Sequence, residues 1–169
     1  MKLIIRKQHR VITGLLYLLL VAALVLPSAI AVRAWSGGST VNTPICIAPN
    51  AQVDPQIISD GSGGAIITWE DQRGVSDIYA RLVDSSGAVQ WVDNGSAVCT
   101  AGLSQVNPQL ISDGAGGAII TWSDGRNGSS NYDIYAQRVD SSGVVQWSDN
   151  GSASCTASGN QQYPQIISD

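Results

Sequence analysis

Pro55-Gln56-Ile57-Ile58-Ser59-Asp60-Gly61 returns as Pro108-Gln109-Leu110-Ile111-Ser112-Asp113-Gly114, and again as Pro164-Gln165-Ile166-Ile167-Ser168-Asp169. Self-similarity at a fixed period of this size marks a chain built from stacked copies of one supersecondary unit. The steps are 53 and 56 residues, and the three extra residues fall in one place. Between Asp71 and Asp77 the first copy reads Gln-Arg-Gly-Val-Ser, whereas Asp124 to Asp133 encloses Gly-Arg-Asn-Gly-Ser-Ser-Asn-Tyr. An insertion confined to glycine, asparagine and serine marks a surface loop.

Outward from that stretch, each copy predicts four short strands. Pro55 to Asp60 is the first, and Gly63-Gly64 leads into Ala65-Ile66-Ile67-Thr68-Trp69, rich in β-branched residues. Asp77 to Val83 is the third; the turn Asp84-Ser85-Ser86-Gly87 then gives Ala88 to Trp91 as the fourth. The second copy repeats these as Gly117 to Trp122, Asp133 to Val139, Asp140-Ser141-Ser142-Gly143 and Val144 to Trp147. Nothing after the leader carries a helical apolar period. Ile66 and Ile67 are neighbours and so lie on opposite faces of their strand, yet both are apolar. A sheet with two apolar faces needs cover on both, which stacking supplies.

Four antiparallel strands in roughly 50 residues, repeated in tandem, are the pattern of a propeller blade. The order Pro-Gln-Ile-Ile-Ser-Asp-Gly, Gly-Gly-Ala-Ile-Ile-Thr-Trp, Asp-x-Arg, Asp-Ile-Tyr-Ala, Val-Asp-Ser-Ser-Gly and Val-Gln-Trp resembles the propeller-like repeats of large exported bacterial proteins, over Cys46 to Asp169. Arrays of that kind often sit beside adhesion, sorting or hydrolase modules. A weaker likeness to kelch repeats rests on the Gly-Gly, Ile-Tyr, Val-Asp and Trp order, although Gly63-Gly64 opens a strand where kelch repeats place the doublet at a strand end. The interval from Ser59-Asp60-Gly61 to Trp69 is too long for the Asp-box hairpin of sialidases, so no sialidase activity follows. The fold expected is all-β: four-stranded antiparallel blades of a β-propeller-like array, two blades plus one strand, preceded by an N-terminal apolar helix. Its parts are a leader at 1–31, a linker at 32–45, repeats at 46–98 and 99–154, and the start of a third at 155–169. Propellers close with roughly four to eight blades, which reads the sequence as the N-terminal piece of a longer protein in preference to a two-blade oligomer.

The first residues differ from the rest. Lys2, Arg6, Lys7, Arg10 and the only histidine, His9, precede a 16-residue run from Val11 to Leu26 broken only by Thr13, Gly14 and Tyr17. Pro27 ends it, and Ala29-Ile30-Ala31 offers small residues to a signal peptidase. Cleavage after Ala31 is the favoured reading, with Val32-Arg33-Ala34 second. The alternative is a membrane anchor over residues 11–32, since about 20 apolar residues span a bilayer. Either way the chain is exported, extracellular or at the cell surface, and any membrane contact runs through this segment. Beyond residue 31 lie five arginines against 13 acidic residues, a net charge of −8. Such a surface excludes nucleic acid as a partner.

Cys46, Cys99 and Cys155 each stand nine residues before the proline of their copy, so they are one repeat position and not a disulfide framework. Their expected role is that of a small buried hydrophobe. Trp69-Glu70-Asp71-Gln72-Arg73 and Trp122-Ser123-Asp124-Gly125-Arg126 share Trp-x-Asp-x-Arg. Asp71 with Arg73, and Asp124 with Arg126, are the candidate pairs, either facing a ligand groove or stiffening a loop. Their recurrence favours the structural role, because an active site usually breaks repeat symmetry. Trp69, Trp91, Trp122 and Trp147 could stack on a glycan, with packing between blades the favoured reading. Loop pairs such as Asp60-Gly61, Asp93-Asn94-Gly95 and Asp149-Asn150-Gly151 offer oxygens to calcium, but none has EF-hand spacing, and no cofactor is expected. Asn94, Asn127 and Asn150 fit the glycosylation acceptor pattern and equally the common turn formers. No histidine follows the leader, which excludes a Ser-His-Asp triad and histidine-bound zinc. The expectation is a non-enzymatic exported scaffold or interaction module with a protein or glycan partner, needing further blades or self-association to cover its faces. The alternative is the first blades of a propeller glycoside hydrolase whose catalytic residues lie outside this chain.

Overall fold

The computed structural model describes residues 42–169. The leader and most of the linker lie outside the described residues. Eight strands follow in order: β1 (Gln52–Ser59), β2 (Ala65–Asp71), β3 (Asp77–Val83), β4 (Ser96–Cys99), β5 (Gln105–Ser112), β6 (Ala118–Asp124), β7 (Asp133–Val139) and β8 (Ser152–Cys155). They make two four-stranded antiparallel sheets, β1-β2-β3-β4 and β5-β6-β7-β8, each a simple meander. There is no helix among the described residues.

The two ladders share one register. Ile57 pairs with Ile67 and Trp69 with Tyr79 in the first sheet, as Leu110 pairs with Ile120 and Trp122 with Tyr135 in the second. Both first strands carry a register shift at the residue before the proline, between Val53 and Gln56 and between Val106 and Gln109. Asp54 and Asn107 take φ of 49° and 55° there. Asx residues tolerate this left-handed conformation, and proline has no N–H to give the ladder, so the pair makes a bulge. The inserted residues lie in the loop from Gly125 to Tyr132, and the flanking pairs Asp71 with Asp77 and Asp124 with Asp133 are matched despite the difference in length.

Two expected strands come out differently. The fourth strand is not Ala88 to Trp91 but Ser96–Cys99, and in the second copy Ser152–Cys155. Val89 makes only an isolated bridge to Val83, and Val145 to Val139. After Gln90 the chain leaves β3: Trp91 turns left-handed at φ 64°, and a turn closed by Gly95 N–H to Val92 O at 3.0 Å brings Ser96 back opposite Ala80. The excursion makes room for Arg81, buried at 5% exposure, whose guanidinium donates to Gln90 O, Ile45 O and Asp93 Oδ1. The expected strand at Pro164 to Asp169 joins no ladder, because no second strand stands beside it among the described residues.

The sheets stack face to face around one core. Ile66, Ile78, Ala80 and Val98 of the first meet Leu110, Ile120, Trp122 and Val139 of the second. The opposite faces in contact are visible in one pair of neighbours: Ile66 is wholly buried and Ile67 partly, whereas Ile119 is partly buried and Ile120 wholly. Trp91 crosses the joint, donating from Nε1 to Ser141 O at 3.0 Å.

Candidate functional site

Alternation along β2 puts Trp69 and Asp71 on one side, and Arg73, just past the strand end, curls back onto them. Arg73 Nε donates to Asp71 Oδ1 at 2.8 Å and Nη2 to Oδ2 at 2.7 Å, a two-pronged pair. Trp69 Nε1 donates to Oδ2 at 2.9 Å and the Arg73 N–H to Oδ1 at 3.0 Å, so both oxygens of this fully buried carboxylate are engaged. The guanidinium lies 4.0 Å from the Tyr79 ring centroid and also donates to Asn94 O at 2.8 Å. Asn94 is left-handed at φ 61°, and Gly95 closes over Trp69 so tightly that a Cβ there would come within 2.5 Å of the indole.

The second copy rebuilds the same cluster. Arg126 grips Asp124 at 2.9 and 2.6 Å, Trp122 Nε1 donates at 2.7 Å, Arg126 stacks 3.8 Å over Tyr135 and reaches Asn150 O at 2.6 Å. Each cluster is completed by a thiol from the preceding stretch: Cys46 Sγ lies 3.8 Å from Arg73 Nη2, and Cys99 Sγ 3.4 Å from Arg126 Nη2. The residues expected to pair therefore do. Tyrosine, asparagine carbonyl and cysteine, which spacing within the motif does not reveal, join them from 6 to 27 positions away from the arginine; shared repeat position was the signal that could have found them.

Burial works against ionising Asp71 and Asp124, but the hydrogen bonds from Arg73 with Trp69, and from Arg126 with Trp122, hold both carboxyls below the usual range. Both stay charged, and both are spent on internal donors. Asp77, the cross-strand neighbour of Asp71, is opposite in character. Burial, reinforced by the charge of Asp71, pushes it up to about 6, and its Oδ1 has no hydrogen-bond partner. Its counterpart Asp133 also has an unpartnered Oδ1, while Oδ2 accepts from Asn127 Nδ2 at 2.8 Å. Asn127 belongs to the longer loop, which supplies a donor that the first copy lacks.

The expectation that all three cysteines are buried fails for two of them: Cys99 is buried, Cys46 half-buried and Cys155 exposed, all as free thiols. Position in the stack decides this, since only Cys99 has a described sheet on both sides. Burial pushes the Cys99 thiol up to about 12, which leaves it inert at neutral pH. The tryptophans divide in the same way. Trp69 and Trp122 sit inside the clusters and Trp91 spans the sheets, but Trp147 is 41% exposed.

The loop acids act as turn clamps. Asp60 Oδ1 accepts from the N–H groups of Ser62 and Gly64, and Asp113 Oδ1 from those of Ala115 and Gly117. Among the described residues, no three His, Cys, Asp or Glu side chains gather as a metal centre requires. Two of the three acceptor-pattern asparagines use their side chains on the main chain: Asn94 Oδ1 accepts from Ile47 N–H and Asn150 Oδ1 from Thr100 N–H, each at 2.9 Å. Asn127 is exposed. Comparison with known proteins finds no matching family model, no matching curated protein and no matching solved structure.

Proposed function

We propose that this chain is an exported, non-enzymatic β-repeat scaffold or interaction module, its two sheets serving as blades of a propeller-like array. The observation that carries this reading is the duplicate cluster of Trp, Asp, Arg, Tyr and Asn, built from the same contacts in both copies. Chemistry usually needs one asymmetric pair of groups; a joint between repeats needs the same device every time. The buried aspartates are saturated by donors of their own repeat and have no lone pair left for a substrate. Variation is concentrated instead on the loops, above all Gly125 to Tyr132, where a protein or glycan partner would be met.

The basic, then apolar, then small-residue order of residues 1–31 supports export with cleavage after Ala31; retention by residues 11–32 would place the same array at the cell surface. Expression of the full chain should yield protein outside the cytoplasm, with a new N terminus at Val32 by mass spectrometry, and no turnover on a panel of chromogenic glycosides. Cytoplasmic retention overturns export. A glycosidase rate that disappears in Asp71→Asn or Asp124→Asn, with both sheets still folded, overturns the non-enzymatic reading.

A further inference from the structure

We propose that Asn127 is a site of self-modification: its side-chain amide converts to a carboxyl through attack by the Gly128 nitrogen, and the change releases the loop from Asp133. The reaction needs only water, so it stands apart from the scaffold reading. Asn-Gly-Ser occurs three times, as Asn94-Gly95-Ser96, Asn127-Gly128-Ser129 and Asn150-Gly151-Ser152. Glycine after asparagine leaves the peptide nitrogen unshielded, since no Cβ stands beside it. Local sequence makes the three equal, and the fold separates them.

Ring closure requires the Asn-Gly peptide to turn until its nitrogen faces the side-chain carbon, Cγ. At Asn94 that peptide is clamped at both ends. Asn94 O accepts from Arg73 Nη2 at 2.8 Å, and the Gly95 N–H donates to Val92 O at 3.0 Å. The side chain is held as well, Oδ1 accepting from Ile47 N–H at 2.9 Å, and buried Gly95 lies so close to Trp69 that a Cβ would come within 2.5 Å. Asn150 is fixed in the same way, by Arg126 Nη2 at 2.6 Å, by the Gly151 N–H to Ser148 O at 2.8 Å, by Thr100 N–H at 2.9 Å and by Gly151 against Trp122.

Asn127 has one of these restraints. The Gly128 N–H donates to Gly125 O at 2.9 Å, a single turn bond on an exposed loop. The side chain is held through Nδ2, the nitrogen that leaves, and nothing lies within 4 Å of a Cβ built on Gly128. The Gly128 N–H passes its proton to solvent base, the nitrogen bonds to Cγ, and Nδ2 leaves as ammonia with a proton from water. Water then opens the five-membered imide at either carbonyl, giving aspartate or, with the backbone rerouted through the side chain, isoaspartate. Position 127 is where this matters. Nδ2 donates to Asp133 Oδ2 at 2.8 Å, and the other oxygen of that carboxyl has no partner. Conversion deletes the donor and sets a second carboxyl against one that is 1% exposed. The loop must then open to let water reach both.

The purified chain, held at mildly alkaline pH and followed by peptide mass mapping, should gain acid at Asn127 at least roughly tenfold faster than at Asn94 or Asn150, because those two react only through a larger opening of the fold. In urea the three should react at about equal rates, since their local sequences are the same. Hydrogen exchange at residues 126–134 should rise as conversion proceeds. Asn127→Gln keeps an amide but enlarges the ring to be closed, and should age without either change. Conversion at Asn94 or Asn150 that keeps pace with Asn127 in the folded chain overturns the proposal. An Asn127 that stays an amide in the folded chain while urea converts all three also overturns it, as does conversion that leaves hydrogen exchange unchanged.

Discussion

Leu103 turns left-handed at φ 62° at the repeat position that Asn50 and Gly159 occupy at 67° and 90°. A side chain with Cβ costs about 1–2 kcal/mol there, less for asparagine. Leu103 is half exposed and contributes little in return. Leu103→Asn should stabilise by about 1 kcal/mol in urea unfolding, since Asn50 also donates from Nδ2 to Gln72 O at 3.1 Å and Gly125 O is the equivalent acceptor. Asp77 gives a pH signature. Its folded value near 6 lies above its ordinary 3.8, so its contribution is complete below about pH 4 and is lost as pH rises through 6. Asp77→Asn should therefore be more stable than the parent by about 1–3 kcal/mol at pH 7, with the two converging at pH 4; parallel stability curves from pH 4 to 8 would contradict this. The pairing of Asp71 with Arg73 was legible from motif spacing. Asp77 was not, because its character depends on a strand pairing and on a missing donor, neither of which lies in its own neighbourhood of sequence.

Among elements, β2, β3, β6 and β7 were legible because alternating and β-branched residues coincide with turn residues at both ends. β4 and β8 were not: Ala88 to Trp91 has the better strand composition, but Trp91 leaves the ladder, and the short Ser-Ala-Val-Cys run takes the edge of β3. The repeat period was legible throughout; the exposure of each copy was not, since Leu110 and Ile57 are similar aliphatic residues at one repeat position and their exposure is set by what lies beneath them. The joint between sheets is where glycine is needed for space as well as conformation. Gly143 has φ 82° and its added Cβ would lie 2.6 Å from Trp91, while Gly114 has φ 77° with nothing within 4 Å. Gly114→Ala should cost about 1 kcal/mol for the backbone alone, and Gly143→Ala about 1–3 kcal/mol more. Equal losses by chemical denaturation would mean that Trp91 can move aside freely.

At the scale of the molecule, the core belongs to neither sheet, since Ile66, Ile78 and Val98 are buried by Ile120, Trp122 and Val139. The sheets should unfold together, with circular dichroism and tryptophan fluorescence tracing one transition; two separated midpoints would show that each sheet stands alone. The stretch from Gly125 to Tyr132 has a further consequence. It already holds three residues more than its counterpart at Gln72 to Ser76, and the closing pairs Asp71 with Asp77 and Asp124 with Asp133 are the same. Its tip is open, with nothing within 4 Å of a Cβ at Gly128 and with Ser129 and Ser130 exposed. Each doubling of such a loop costs only about 0.6 kcal/mol of closure entropy. The second sheet thus carries an insertion port in this loop, at which an epitope or an affinity peptide placed between Ser129 and Ser130 would be displayed to solvent without shifting a single strand pairing.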